Sequence, residues 1–154
     1  IYTIAYTLSL HGRSSDLLDR PLSPVGLAEA EAAGKWLKEN NLLPDCVLCS
    51  PARRTRETLE AVLGTIGYVE KRLEDRIYEA TPGTLAALVD DRRDLDRVLI
   101  VGHNPGLERL VALMTEGTSS DYRGMPPAGI AVLGFPREAS IEPGVASLNA
   151  FWWP

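Results

Sequence analysis

Two histidines are the side chains best suited to carry out chemistry, and they are the only two among the 154 residues. His11 lies in a turn with a glycine directly after it, and His103 lies between Gly102 and Asn104, after the apolar run of residues 98–101. A glycine turn that follows a strand places the next side chain at a sheet edge, where ligands approach α/β folds. Two imidazoles at such an edge are suited to phosphoryl transfer; the alternatives are an exposed turn histidine for His11 and a histidine that only caps its loop for His103.

Two arginines lie between the histidines, in the first turn of a predicted helix. Arg53 and Arg54 follow the Ser-Pro pair at residues 50–51, which is typical of a helix start. The helix dipole already favours an anion at this position, so two cations are unfavourable there until a phosphate binds. A guanidinium pairs with two phosphate oxygens at once. Together with the histidines, the pair predicts phosphoryl transfer; the alternative is a solvated basic turn that pairs with Glu57 or Glu60.

Strand and helix patterns alternate along the chain. Apolar, β-prone runs predict strands at residues 1–10, 46–49, 98–101, 130–135 and 145–151. Helical spacing of apolar residues predicts helices at residues 26–39, 53–66, 84–89 and 107–115. A capping residue followed by proline marks four helix starts, at residues 23–24, 50–51, 81–82 and 104–105. We therefore expect one α/β domain over residues 1–154, with helices on both faces of a mostly parallel sheet.

Composition narrows the function further. A formal net charge of -5 argues against binding to nucleic acid, whose phosphates need a basic surface. No apolar run approaches the roughly 20 residues that span a bilayer, and no segment resembles a signal peptide, so we expect a cytoplasmic protein without membrane contact. Cys46 and Cys49 form a C-x-x-C inside an apolar strand. Residues three apart in a strand face opposite sides, so we predict buried structural cysteines rather than a redox or zinc pair.

Four segments, in the order in which they occur, resemble the histidine phosphatase superfamily, which is also called the phosphoglycerate mutase-like fold. Within it, they are most similar to the small SixA-type phosphohistidine phosphatases. The segments are Asp19-Arg20-Pro21-Leu22-Ser23-Pro24-Val25-Gly26, Ser50-Pro51-Ala52-Arg53-Arg54-Thr55-Arg56-Glu57-Thr58, Val101-Gly102-His103-Asn104-Pro105-Gly106 and Met125-Pro126-Pro127-Ala128-Gly129-Ile130-Ala131-Val132-Leu133. The resemblance covers nearly the whole chain from Asp19 onward and implies a three-layer α/β/α sandwich with a mostly parallel central sheet.

The resemblance also implies a phosphate pocket of two histidines and two arginines. The family's nucleophile follows the first strand and carries over to His11, with Gly12 after it. The family's arginine four residues after the serine carries over to Arg54, and the second histidine to His103. The implied mechanism forms a phosphohistidine on the enzyme, which water then hydrolyses. No metal and no cofactor are implied.

The chain departs from the family pattern next to the predicted nucleophile. Leu10 stands where the family has an arginine, and leucine cannot bind phosphate. Arg13, two residues after the histidine, is the candidate replacement. We predict substrate contacts for five residues, namely Gly12, Arg13, Arg20, Asn104 and Glu79. Leu10 also leaves open a catalytically impaired protein that binds phosphate without turnover.

The group that would protonate a leaving oxygen is a second open point. Some family members have an aspartate directly after the second histidine, where this chain has Asn104. Glu79 is the candidate acid because it precedes a helix start, and its alternative is a solvated loop glutamate. A phosphoramidate needs less help, because its leaving nitrogen can be protonated in advance. We therefore expect a phosphatase for phosphohistidine in a protein partner; the alternative is a phosphomonoesterase for a small phosphate compound.

Overall fold

The computed structural model describes residues 2–8, 18–118, 125, 128–136 and 139–154. The strands of this part are β1 (Tyr2–Leu8), β2 (Cys46–Cys49), β3 (Glu70–Leu73), β4 (Arg97–His103), β5 (Ile130–Gly134) and β6 (Ser147–Trp152). The helices are α1 (Pro24–Glu39), α2 (Arg53–Ile66), α3 (Pro82–Asp90) and α4 (Gly106–Glu116), with a 3-10 turn at Asp75–Ile77. Within these residues, no helix is long and apolar enough to span a membrane.

The strands form one sheet in the order β3-β2-β4-β1-β5-β6. Strands β3, β2, β4 and β1 run parallel, and β5 pairs antiparallel with both β1 and β6. The mostly parallel sheet predicted from the alternating pattern is therefore confirmed. In register, Leu8 pairs with His103, so β1 and β4 end side by side at one edge of the sheet.

Helices cover both faces of the sheet and give three layers. Helices α1 and α2 pack on one face, with Leu37 and Leu59 in the core beneath them, and α3 and α4 pack on the other. Cys46 belongs to the core under α3 and α4, whereas Cys49 belongs to the core under α1 and α2. Both cysteines are fully buried and unbridged. The predictions of an α/β/α sandwich and of buried cysteines on opposite faces are confirmed.

Strand β3 has no counterpart in the sequence prediction. It consists of Glu70–Leu73, and all four residues are exposed, so the strand carries no apolar run. It lies at the edge of the sheet, where it pairs only with β2. Charged side chains on an edge strand discourage pairing with other chains. The pattern that identifies buried strands therefore could not detect this one.

Two of the four predicted helix caps are confirmed. The side chains of Ser23 and Thr81 each accept a hydrogen bond from a backbone N–H in the first turn of α1 and α3. The other two are wrong, because α2 begins two residues and α4 one residue later than the Ser-Pro and Asn-Pro pairs predict. Ser50 and Asn104 therefore lie in the strand-to-helix turns, where their side chains are available for other contacts.

Candidate active site

Three strand ends place the candidate site at the carboxyl edge of the sheet. His103 is the last residue of β4, and Leu8, the last residue of β1, is its partner in register. Ser50 directly follows β2, and its backbone N–H donates to the carbonyl oxygen of Val101 at 3.0 Å. This is the edge where ligands bind in parallel α/β sheets.

Ser50 and His103 are joined by a short buried hydrogen bond. The Ser50 Oγ lies 2.7 Å from His103 Nε2, and the two residues are 0% and 7% exposed. His103 Nδ1 is also buried and has no hydrogen-bond partner among the described residues. Burial, together with the charge of Arg54, lowers the pKa of His103 from 6.5 to about 4. His103 is therefore neutral near pH 7, with one N–H and one lone pair on its ring.

Arg54 and Arg53 have opposite environments, although both lie in the first turn of α2. Arg54 is 7% exposed, and its Nε and Nη2 are buried without a partner in the described part of the chain. Burial and the nearby charge of Arg20 lower the pKa of Arg54, but a guanidinium remains charged. The exposed Arg53 instead pairs with Glu57 at 3.1 Å. The alternative interpretation, a solvated basic turn that pairs with Glu57, is therefore correct for Arg53. Arg54, in contrast, is a buried cation.

Tyr78 is a member of this cluster that sequence reasoning missed. Its ring meets the His103 ring edge-on, with centroids 5.4 Å apart. Tyr78 also raises the pKa of Arg54, which opposes the lowering by burial and Arg20. The turn that carries Tyr78 packs closely on β4, since a Cβ at Gly102 would lie 2.8 Å from Ile77 Cγ2. Gly102 therefore makes room for this turn. No motif links Tyr78 to His103 along the sequence, and only the packing brings them together.

Asn104 holds a neighbouring segment through both ends of its amide. Its Nδ2 donates to the carbonyl oxygen of Met125 at 3.1 Å, and its Oδ1 accepts from the backbone N–H of Glu108 at 3.3 Å. The Glu108 carboxylate in turn accepts from the Met125 N–H at 3.0 Å. These contacts fasten Met125 to the start of α4. The predicted substrate contact of Asn104 stays a prediction.

The remaining predicted site residues divide into two groups. Arg20 is exposed and close enough to Arg54 for its charge to lower the Arg54 pKa. Glu79 directly follows Tyr78, is exposed, and has a left-handed φ of 58°. The others, His11, Gly12 and Arg13, lie outside the described residues.

The cluster presents hydrogen-bond donors that have no acceptor in the described part of the chain. They are the two nitrogens of Arg54 and, in one tautomer, Nδ1 of His103. A buried donor left without an acceptor costs about 1–3 kcal/mol, and more when the group is charged. An anion with several oxygens, bound at the positive end of the α2 dipole, would satisfy all of them.

Comparisons with known proteins agree with this geometry. A model of the histidine phosphatase superfamily (branch 1) matches residues 6–92. An uncharacterized protein of Mycobacterium tuberculosis is 37% identical over 145 residues, which cover 88% of this chain and 90% of that protein. A solved structure of a candidate phosphohistidine phosphatase SixA from Agrobacterium tumefaciens is 26% identical, with a TM-score of 0.78 over 98% of this chain and 97% of that one. Another, from Nakamurella multipartitia, is 29% identical, with a TM-score of 0.76 over 99% and 96%.

Proposed function

This chain belongs to the histidine phosphatase superfamily, and from this premise we propose that it removes phosphate from phosphohistidine in a protein partner. The family match and the solved phosphatase neighbours support phosphatase activity. The single observation that carries the proposal is the buried Arg54 guanidinium, with two N–H-bearing nitrogens that have no described partner, beside a neutral His103. Cations and donors fixed in this way stabilise the charge on the equatorial oxygens of a transferring phosphoryl group.

The proposed reaction has two displacements at phosphorus. His11 follows the last residue of β1 by three positions in the sequence. One of its ring nitrogens attacks phosphorus and forms a phosphorus–nitrogen bond, while the bond from phosphorus to the substrate imidazole breaks. The substrate, protonated beforehand on its other ring nitrogen, leaves as a neutral imidazole. Water then attacks the phosphohistidine on His11, the phosphorus–nitrogen bond breaks, and orthophosphate leaves. Arg54 and His103 hold the phosphoryl oxygens through both steps.

The charges around the site favour a phosphoramidate over an ester. Besides burial, the charges that lower the pKa values of His103 and Arg54 are cations, namely Arg54 for His103 and Arg20 for Arg54. An ester needs an acid to protonate its leaving oxygen. A phosphohistidine can be protonated beforehand on its other ring nitrogen, so that it leaves as a neutral imidazole and relaxes the need for an acid.

A small-molecule phosphomonoesterase is the second candidate, and the position of Glu79 beside Tyr78 is the observation that favours it. The experiment compares release of phosphate from a protein phosphorylated on histidine with release from glycerol 2-phosphate, an alkyl ester whose leaving oxygen needs a proton, in the parent and in Glu79→Gln. We expect the phosphohistidine protein to be the better substrate and Glu79→Gln to turn it over like the parent.

The opposite result would identify the second candidate. A general acid contributes about 10²- to 10⁴-fold to rate. Preferred turnover of the ester, with a loss of this size in Glu79→Gln, would overturn the phosphohistidine assignment. Binding of orthophosphate without turnover of either substrate would instead indicate a phosphate-binding protein, as Leu10 allows.

A further inference from the structure

We propose that Ser50 is a positioning residue that keeps the proton of His103 on Nδ1, so that this N–H faces the phosphoryl oxygens. The identity of the ligand rests on the proposed function, whereas the position of the proton does not. The proposal starts from a hydrogen bond between two buried side chains, since Ser50 Oγ lies 2.7 Å from His103 Nε2. Nothing in the sequence indicates this contact, because the Ser-Pro pair reads as a helix cap.

The hydrogen-bond inventory of Ser50 decides the direction of that bond. A serine hydroxyl has one proton to donate and two lone pairs to accept with. The backbone N–H of Ala52 is a fixed donor and uses one lone pair of Ser50 Oγ, at 3.4 Å. If the hydroxyl also accepted from His103, its own proton would have no acceptor among the described residues. If it donates to His103 Nε2, every group of Ser50 is satisfied.

Because the His103 ring carries a single N–H, the direction of the hydrogen bond from Ser50 fixes its tautomer. Burial and the Arg54 charge disfavour a second proton on the ring, so the imidazole carries a single N–H. With Nε2 accepting from Ser50, that N–H has to be on Nδ1, the nitrogen that is buried without a described partner. The edge-on contact with Tyr78 restrains the plane of the ring.

The alternative tautomer would work against phosphate binding. With the proton on Nε2, Nδ1 would present a lone pair to the phosphoryl oxygens, and the lone pairs of nitrogen and oxygen would repel each other. Free histidine side chains favour this Nε2–H form, so a specific contact is needed to reverse the preference. Ser50 supplies that contact. His103 Nδ1–H can then donate to the same phosphoryl group as the N–H groups of Arg54.

The tautomer can be read directly by nitrogen NMR. In uniformly ¹⁵N-labelled protein, two-bond correlations from the ring protons distinguish a protonated from an unprotonated imidazole nitrogen. The chain has only two histidines, and a His103→Gln variant assigns the signals of His103. We expect Nδ1 of His103 to be protonated and Nε2 unprotonated in the resting protein at neutral pH. Protonation of Nε2 in the parent would overturn the proposal.

Two variants of Ser50 and one control separate positioning from structure. Ser50→Ala removes the hydroxyl and should shift the His103 proton toward Nε2, with about tenfold weaker binding of orthophosphate. Ser50→Thr keeps a hydroxyl and should retain the Nδ1–H form. Thr55→Val is the control: it removes a buried hydroxyl that donates to the Ser50 carbonyl at 2.8 Å, and should leave the tautomer unchanged.

The outcomes distinguish this proposal from the proposed function. If Ser50→Ala folds with Nδ1 still protonated as in the parent, Ser50 does not set the tautomer. If Ser50→Ala does not fold, the parent spectrum and Ser50→Thr still decide the question. A parent with Nδ1 protonated but no phosphatase activity would support the role of Ser50 and overturn the proposed reaction alone.

Discussion

Arg53 and Arg54 are adjacent in sequence but differ in burial, which makes them a matched pair for testing the phosphate site. Arg54→Ala removes the buried guanidinium, and we expect kcat/KM for the phosphorylated substrate to fall by about 10²- to 10³-fold, the usual effect of losing one transition-state donor. Arg53→Ala removes only an exposed ion pair with Glu57 and should stay close to the parent. Equal losses in the two variants, measured by steady-state kinetics, would contradict the assignment of Arg54.

The depressed pKa of His103 predicts how stability depends on pH. The folded protein binds this proton only near pH 4, whereas the unfolded chain binds it near pH 6.5. The stability that comes from neutral His103 is therefore present above pH 6.5 and is lost as pH falls toward 4, by about 3 kcal/mol in all. Urea unfolding at pH 7.5 and 4.5 should show a smaller loss in His103→Gln than in the parent. The same loss in both proteins would show that His103 does not carry this effect.

The sequence was sufficient to select Arg54 and His103 as candidate site residues, and their roles stay predictions, but it did not indicate the contacts between side chains. The residue types and their places next to turns led to this selection, because a cation or an imidazole at a sheet edge is well placed to bind an anion. Ser50 was interpreted only as a helix cap, and Tyr78 was not identified at all. Both reach His103 across 25 or more residues of sequence, and a local pattern contains no information about such contacts.

At the scale of elements, the packing of α4 against the turn before α3 supports the site. A Cβ at Gly106 would lie 2.8 Å from the Ala80 carbonyl oxygen, which belongs to the backbone and cannot rotate away. We expect Gly106→Ala to lower the free energy of unfolding by about 1–3 kcal/mol. It should also lower activity, because the displaced segment carries Tyr78. Chemical denaturation and phosphatase assays on the same protein would measure both effects.

Gly64 provides the control for this substitution. It lies on the exposed side of α2, where a Cβ would meet no atom within 4 Å. Gly64→Ala should therefore raise stability by about 0.5–1 kcal/mol, because alanine loses less conformational freedom than glycine in a helix. A Gly106→Ala protein as stable as Gly64→Ala would show that the packing at Ala80 is not restrictive.

The boundaries of the elements were less predictable than their order. Helix α2 has the bounds 53–66 that its apolar spacing predicts, but Ser50, its predicted cap, contacts His103 instead. At α4, the Asn104 Oδ1 still accepts from the Glu108 N–H in the first turn while its Nδ2 donates to Met125, and the helix begins one residue later than the Asn-Pro pair predicts. The exposed strand β3 escaped detection for a different reason, since its pairing with β2 buries none of its side chains.

At the scale of the whole molecule, the buried Arg54 cation, whose Nε and Nη2 have no described partner, lowers the free energy of unfolding of the phosphate-free protein. Binding of phosphate is expected to remove this cost. Arg54→Met replaces the cation with an apolar chain of similar length, so we expect it to be about 1–2 kcal/mol more stable than the parent in phosphate-free buffer. Orthophosphate at about 100 times its Kd should stabilise the parent by about 2.7 kcal/mol and the variant far less. Thermal denaturation with and without orthophosphate checks this; equal stabilisation of both proteins would place the phosphate elsewhere.

The layered architecture was the part most accessible from sequence. Alternating strands and helices, with buried apolar runs at residues 46–49 and 98–101, specify a parallel sheet between two helical layers. Pattern alone does not give the strand order, because loop lengths allow several arrangements. The order matters for function, since it places β1 beside β4 and so brings Leu8, the last residue of β1, beside His103.

The most direct test is to trap the phosphorylated enzyme. The parent, His11→Ala and His103→Ala are each mixed briefly with a protein that carries radiolabelled phosphohistidine, quenched in alkali and separated by electrophoresis. The account predicts an acid-labile, alkali-stable label on the parent chain, no label on His11→Ala, and slower labelling of His103→Ala. A label that persists on His11→Ala, or phosphate released by the parent at a rate unchanged in that variant, would contradict the covalent mechanism.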